Sequence, residues 1–207
     1  MVARGQRRSD SGGPSTAFVP GNFPAARVVP EGMMEGMVGR LPFGVTPEQP
    51  GAGQESVWDY PRPPRLESST RHLVVRFGDA VIADSTSAYR VLETSHPPTW
   101  YIPRDDVDSS RLRRSRARST MCEWKGAATY WDVLGDDGAV LEAGGGSYET
   151  PTAAFADIAG ALSFSPAQLT CELDGEVAQA QEGGFYAGWI TSDVVGPFKG
   201  IPGSWGW

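Results

Sequence analysis

The 207 residues carry a formal charge of −7 and an apolar fraction of 40%, enough for one domain with a core of its own plus a tail. An acidic balance argues against a nucleic-acid partner, because phosphates are gripped mainly by excess Lys and Arg. No run of 18 apolar residues is present, so no membrane span is expected either.

Residues 1–54 read as a disordered leader, and residues 55–207 as a single β domain. The first 50 residues hold seven Pro and eight Gly, a density that buries too little apolar surface to offset ordering entropy. All seven Trp and all six Tyr lie beyond residue 55. Met1–Arg8 is basic like the start of an export signal, yet no apolar stretch follows it. With only Cys122 and Cys171, a secreted disulfide scaffold is not expected, and the reading is a reduced, cytoplasmic protein.

Trp58–Pro64 is too rich in Pro for a central strand and reads as an extended aromatic lead-in. His72–Phe77 and Ala80–Ala83 flank Gly78-Asp79 and predict a hairpin, with Leu73, Val75 and Phe77 on one face. Tyr89–Glu93 forms the next strand and ends in the loop Ser95-His-Pro-Pro98. A further strand pair brackets Asp136-Asp-Gly138. Thr150-Pro151 predicts a short helix, Thr as cap and Pro at the first helical position, burying Phe155, Ile158 and Ala159. Leu169–Leu173 and Glu176–Ala178 bracket Asp174-Gly175, a second hairpin. The spacing predicts an all-β fold of mainly antiparallel sheets, a sandwich or partly open barrel, with one or two short helices.

Four groups of residues carry chemistry. Glu93 and His96 end a strand and sit on a Pro-stiffened loop, which suits an acid/base pair; a His that only hydrogen-bonds backbone is the alternative. Cys122-Glu-Trp-Lys125-Gly126 brings together a free thiol, a carboxylate and an ammonium. Cys122 is a nucleophile if His96 lies beside it, and otherwise a small hydrophobe. Lys125 is a handle for an anion or carbonyl if it faces a concavity, and otherwise a surface partner of Glu123. The chain has 16 Arg but only two Lys, and Lys125 and Lys199 both stand between an aromatic residue and a Gly. Third, the Gly-rich aromatic run Gly183–Gly203 holds Trp189 and Lys199 and reads as a flap over the sheet or a close approach to a ligand. Fourth, Arg111–Arg118 has five Arg in eight residues, a solvated face or a patch for a polyanion. A zinc site from Cys122, Cys171, His96 and a carboxylate lacks C-x₂-C spacing, so no zinc is expected and no other cofactor is named.

Val57–Pro64, Ile82–Ser85, Val91–Pro98, Tyr101–Pro103, Cys122–Gly126, Gly184–Tyr186, Gly188–Thr191 and Gly196–Gly200 together resemble the domain-of-unknown-function 427 family, over about Trp58 to Trp207. The chain departs from that pattern at Gly145-Gly-Ser-Tyr148, where members usually have Ala-Trp-Ser-Tyr, at Ala187 for Gly, and at Ser204 for Thr. The resemblance implies a β-tent (Mss4-like) fold without that fold's usual paired-cysteine zinc site. Its motif positions here are Glu93, His96, Tyr101, Cys122, Lys125 and Tyr130. Two functions are expected of them. One is an enzyme acting on a small polar or anionic metabolite, with Glu93, His96, Lys125 and Cys122 as catalytic candidates. Tyr101, Trp124, Tyr130, Trp131, Trp189 and Lys199 would then form the binding wall. The other is a non-catalytic module binding a metabolite or a protein. A nucleotidyltransferase-like activity, a label sometimes attached to the family, is a further alternative.

Overall fold

A computed structural model of the chain describes residues 41–42 and 44–207. Most of the segment read as leader therefore lies outside the described residues. Its last stretch does not hang free of the domain: the Glu48 N–H donates to Gly196 O at 2.8 Å, and Gln54 Nε2 to Ser192 O at 2.7 Å.

The domain is all-β. Its strands are β1 Glu55–Ser56, β2 Arg65–Ser69, β3 Leu73–Phe77, β4 Ala80–Ser85, β5 Ala88–Leu92, β6 Thr99–Tyr101, β7 Leu112–Arg114, β8 Met121–Cys122 and β9 Gly126–Ala127. There follow β10 Thr129–Leu134, β11 Val140–Ser147, β12 Leu162–Phe164, β13 Thr170–Leu173, β14 Glu176–Val177, β15 Gln179–Ala180, β16 Trp189–Ile190 and β17 Val194–Val195. One four-stranded sheet runs β14-β13-β3-β4 and another β12-β11-β10-β7. The three-stranded sheet β2-β5-β6 continues the second through paired hydrogen bonds between Ile102 and Leu162, each 2.8 Å. Pairing is antiparallel except between β1 and β17.

Both hairpins fall where turn chemistry placed them. Gly78 takes φ +61°, and Asp174 and Gly175 take φ +51° and +85°, the left-handed pair that suits a two-residue turn. The predicted helix is instead a 3₁₀ segment, Ala153–Ile158, starting two residues later than expected. Phe155 and Ile158 are buried as their spacing requires, but Ala159 is exposed. Thr152, at the cap position, turns its hydroxyl to Trp124 O at 2.6 Å rather than to the helix.

Strand alternation decides what each face builds. On β6, Trp100 and its neighbour Ile102 enter the main core with Leu73, Val75, Ile82, Leu162 and Phe164, while Tyr101 points the other way. Each of these large side chains contributes roughly 1.5–3 kcal/mol by leaving water. Tyr101, Val91, Phe155, Ile158 and Ala161 form a second cluster, and Val57, Tyr60, Leu92 and Val194 a third. The loop after β5 runs past the third cluster, so Glu93 and His96 emerge between the lead-in and the C-terminal segment.

Candidate functional site

The loop Glu93–Pro98 is pinned from several sides. Ser95 N–H donates to Val57 O at 3.0 Å, Thr94 Oγ1 to Tyr60 O at 2.5 Å, and Lys199 N–H to Ser95 O at 2.8 Å. Ser95 itself is fully buried at φ +69°, and its hydroxyl has no hydrogen-bond partner among the described residues. A non-glycine residue in that conformation stores strain that its surroundings must over-determine. What the strain positions is the next side chain, His96.

His96 Nδ1 lies 3.0 Å from Thr94 O. A carbonyl oxygen only accepts, so Nδ1 carries the hydrogen and Nε2 keeps its lone pair. The ring packs edge-on against Tyr186, centroids 5.3 Å apart. Burial pulls the His96 pKa below its ordinary value, partly opposed by the charge of Glu93 and the Thr94 hydrogen bond, and reinforced by Lys199 and Arg62. The imidazole is therefore neutral near pH 7 and offers Nε2 as a base.

Four more side chains complete this group. Arg62 Nη1 is 3.5 Å from Glu93 Oε1, and its Nη2 is 3.3 Å from Glu123 Oε1. Lys199 Nζ donates to the Trp207 carbonyl at 2.6 Å. Burial, and then the charge of Arg62, pull the Lys199 ammonium below the usual lysine range, while Glu93 and Glu123 pull it back. Burial and the Glu93 charge raise the Tyr186 phenol. Glu93 and His96 thus stand with Lys199 rather than with Lys125, joined by Arg62, Glu123 and Tyr186, which sequence reasoning had left out of the site. The only signals for Arg62 and Tyr186 were their places inside the Trp-Asp-Tyr-Pro-Arg and Gly-Phe-Tyr motifs.

The other predicted residues go elsewhere. Glu123–Lys125 is a turn between β8 and β9, so Glu123 faces Arg62 and makes no surface pair with Lys125. Lys125 turns inward, its ammonium 5.6 Å from the Tyr148 ring centroid and 5.8 Å from that of Phe155. Cys122 and Tyr101 lie close enough to Tyr148 to perturb it, so the thiol joins the tyrosines and not His96, and the Cys–His nucleophile is not assembled. Burial drives the phenols of Tyr101 and Tyr148 well above their ordinary range, followed in each case by smaller effects of neighbouring groups. Tyr130 hydrogen-bonds Thr120 at 2.7 Å beside this cluster, and Trp124 packs on it. Trp131 lies apart, under the Arg104 guanidinium at 4.4 Å, with its Nε1 donating to Ser147 Oγ. Trp189 has no exposed surface and donates to Phe164 O, which makes it core and not wall.

The Arg111–Arg118 run is partly neutralised: Arg111 pairs with Asp108 and Asp136, and Arg113 with Asp132. An open depression of about 760 Å³ lies along it, bordered by Arg114, Arg116 and Glu142. None of the residues of the His96 group lines it. Cys171 is buried and its thiol is pushed up by that burial, while no group of three or more His, Cys, Asp or Glu suited to a metal ion occurs among the described residues.

The profile of a family described as "Domain of unknown function (DUF427)" matches residues 65–177, more than half of the chain. No curated protein matches it.

Proposed function

The chain belongs to the DUF427 family, and we propose that it is an enzyme that binds a small polar or anionic metabolite over His96 and moves a proton on it. The observation that carries this reading is the His96 Nδ1 contact with Thr94 O, which leaves Nε2 unprotonated in a neutral ring. Glu93 stabilises the imidazolium once Nε2 has taken a proton. Arg62 and Lys199 supply positive potential for a carboxylate or phosphate, and Tyr186 forms an aromatic wall. The reading places the protein in the cytoplasm, where Cys122 and Cys171 stay reduced.

A non-catalytic binding module is the second reading. It is favoured by the way both cations are already engaged, Arg62 by Glu93 and Glu123 and Lys199 by the Trp207 carbonyl. The nucleotidyltransferase-like alternative has no comparable observation behind it.

A thermal-shift screen of metabolites, followed by NMR of each stabilising compound over time, separates the two. The enzyme reading expects at least one compound to be converted, and His96→Gln to bind it while losing roughly 10²–10⁴-fold in rate. Binding without conversion by the wild type supports the module. Equal turnover by His96→Gln removes His96 from the chemistry.

A further inference from the structure

Lys125 stands outside the His96 group, and nothing in that chemistry uses it. Only 8% of the residue is exposed, yet its ammonium has neither an ion pair nor a hydrogen bond among the described residues. Among the described residues, the ring faces of Tyr148 and Phe155 support it. A buried unpaired charge is costly, and proteins ordinarily neutralise it with a carboxylate on the same surface. Here the nearest acidic side chain in sequence, Glu123, is committed to Arg62.

A second orphan donor lies in the same cluster. Trp124 packs against the cluster of Val91, Tyr101, Phe155, Ile158 and Ala161, and its Nε1 is buried without an acceptor among the described residues. Buried donors left unmatched are few in native proteins and point to a missing partner. Around them stand further groups able to donate: the hydroxyls of Tyr101 and Tyr148, both held protonated by burial, and the Cys122 thiol. Of the backbone oxygens of the turn, Trp124 O and Lys125 O already accept from Thr152. An acceptor with negative charge finds an ammonium, an indole N–H and two phenols.

We propose that the Lys125–Trp124–Tyr148 cluster is a binding site for a small oxyanion, a carboxylate or phosphate group, separate from the His96 site. Lysine suits the position because a compact ammonium meets a small anion without the fork of a guanidinium, in a chain that otherwise uses Arg almost exclusively. Cys122, half-buried beside Tyr148, borders the site and reports on its occupancy.

The test titrates sodium acetate and sodium phosphate separately into the full-length protein, at an ionic strength held constant with sodium chloride. Two signals are read: the melting temperature, and the rate of Cys122 alkylation by iodoacetamide, Cys171 being buried. In the wild type and in Lys199→Met, at least one anion is expected to raise the melting temperature saturably by a few degrees and to slow alkylation several-fold. Lys125→Met is expected to show neither effect, and Trp124→Phe, which lacks the N–H, to need a higher anion concentration. Acetate alone, or both anions, identifies a carboxylate-sized site; phosphate alone identifies a phosphate site. The proposal is overturned if neither anion changes either signal, if Lys125→Met responds like wild type, or if the response vanishes in Lys199→Met and survives in Lys125→Met. That last result would locate the anion at the His96 site instead. Should Lys125→Met not fold, the Trp124→Phe shift and wild-type protection of Cys122 decide the matter alone.

Discussion

Ser95 and Lys125 are two residues whose native surroundings work against them, and each gives a stability prediction. Ser95 holds φ +69° with a fully buried hydroxyl that is unpartnered among the described residues. Glycine adopts that backbone freely, and removing the hydroxyl removes an unsatisfied group, while glycine costs some unfolded-chain entropy. Ser95→Gly should therefore raise stability by about 1 kcal/mol in urea melts, and Ser95→Val should lower it by more than that. For Lys125, exchanging the ammonium for a thioether gives up about 0.5–2 kcal/mol of attraction to two rings and saves the desolvation of a charge. Lys125→Met should thus match or exceed wild-type stability in chloride buffer, whereas Lys125→Arg should lose at least about 1 kcal/mol by forcing a larger, forked group into the cluster. A Lys125→Met protein that is several kcal/mol less stable would mean that the ammonium has a structural partner.

At the scale of elements, the site depends on how tightly the C-terminal segment threads past the Glu93–Pro98 loop. Gly200 takes φ +118°, and a Cβ there would sit 2.0 Å from the Glu182 carbonyl oxygen. Gly188 is as confined, with a Cβ 2.4 Å from Gln181 Oε1 and 2.9 Å from Pro97 O. Because backbone atoms cannot step aside as a side-chain tip can, Gly200→Ala should cost several kcal/mol and lower the melting temperature by ten degrees or more. A stable Gly200→Ala protein would show that the segment holding Lys199 adjusts easily. This threading also explains what the sequence could and could not reveal. Gly78-Asp79 and Asp174-Gly175 were legible because local turn chemistry fixes them. Glu93 and His96 were legible as a pair because three residues on a Pro-stiffened loop leave little freedom. Arg62, Tyr186 and Lys199 join them only through tertiary packing, which no local pattern encodes. Which of its two alternatives Lys125 takes was not legible, because it depends on the three-residue turn Glu123–Lys125, which sends Glu123 to Arg62 and Lys125 to the Tyr148 and Phe155 rings. Trp189 looked like a flap residue by its Gly-rich neighbours, yet its strand pairs with β15 and delivers the ring to the core.

Across the whole molecule, two properties depend on these contacts. Residues 44–54 are fastened to the C-terminal segment at Glu48 and Gln54. Removing residues 1–54 should lower the melting temperature by a few degrees relative to removal of residues 1–40 alone, and equal values would mean those hydrogen bonds contribute nothing. The second property is pH dependence. The folded protein depresses the His96 pKa below 6.5, so the unfolded chain binds a proton first as pH falls. Stability from this group is complete above about pH 6.5 and declines as the pH falls through the lower, folded value. Urea midpoints between pH 8 and pH 5 should show that decline in wild type and a flatter profile in His96→Gln. Parallel profiles would assign the decline to other groups.

The proposed chemistry rests on one tautomer, and NMR reads it directly. The chain has only two histidines, His72 and His96, so long-range ¹H–¹⁵N correlation on uniformly labelled protein resolves both rings. The expected spectrum at pH 7 shows His96 protonated at Nδ1 and bare at Nε2, with a titration midpoint below 6.5. A His96 ring protonated at Nε2, or one that is still imidazolium at pH 7, would contradict the assignment of His96 as the base.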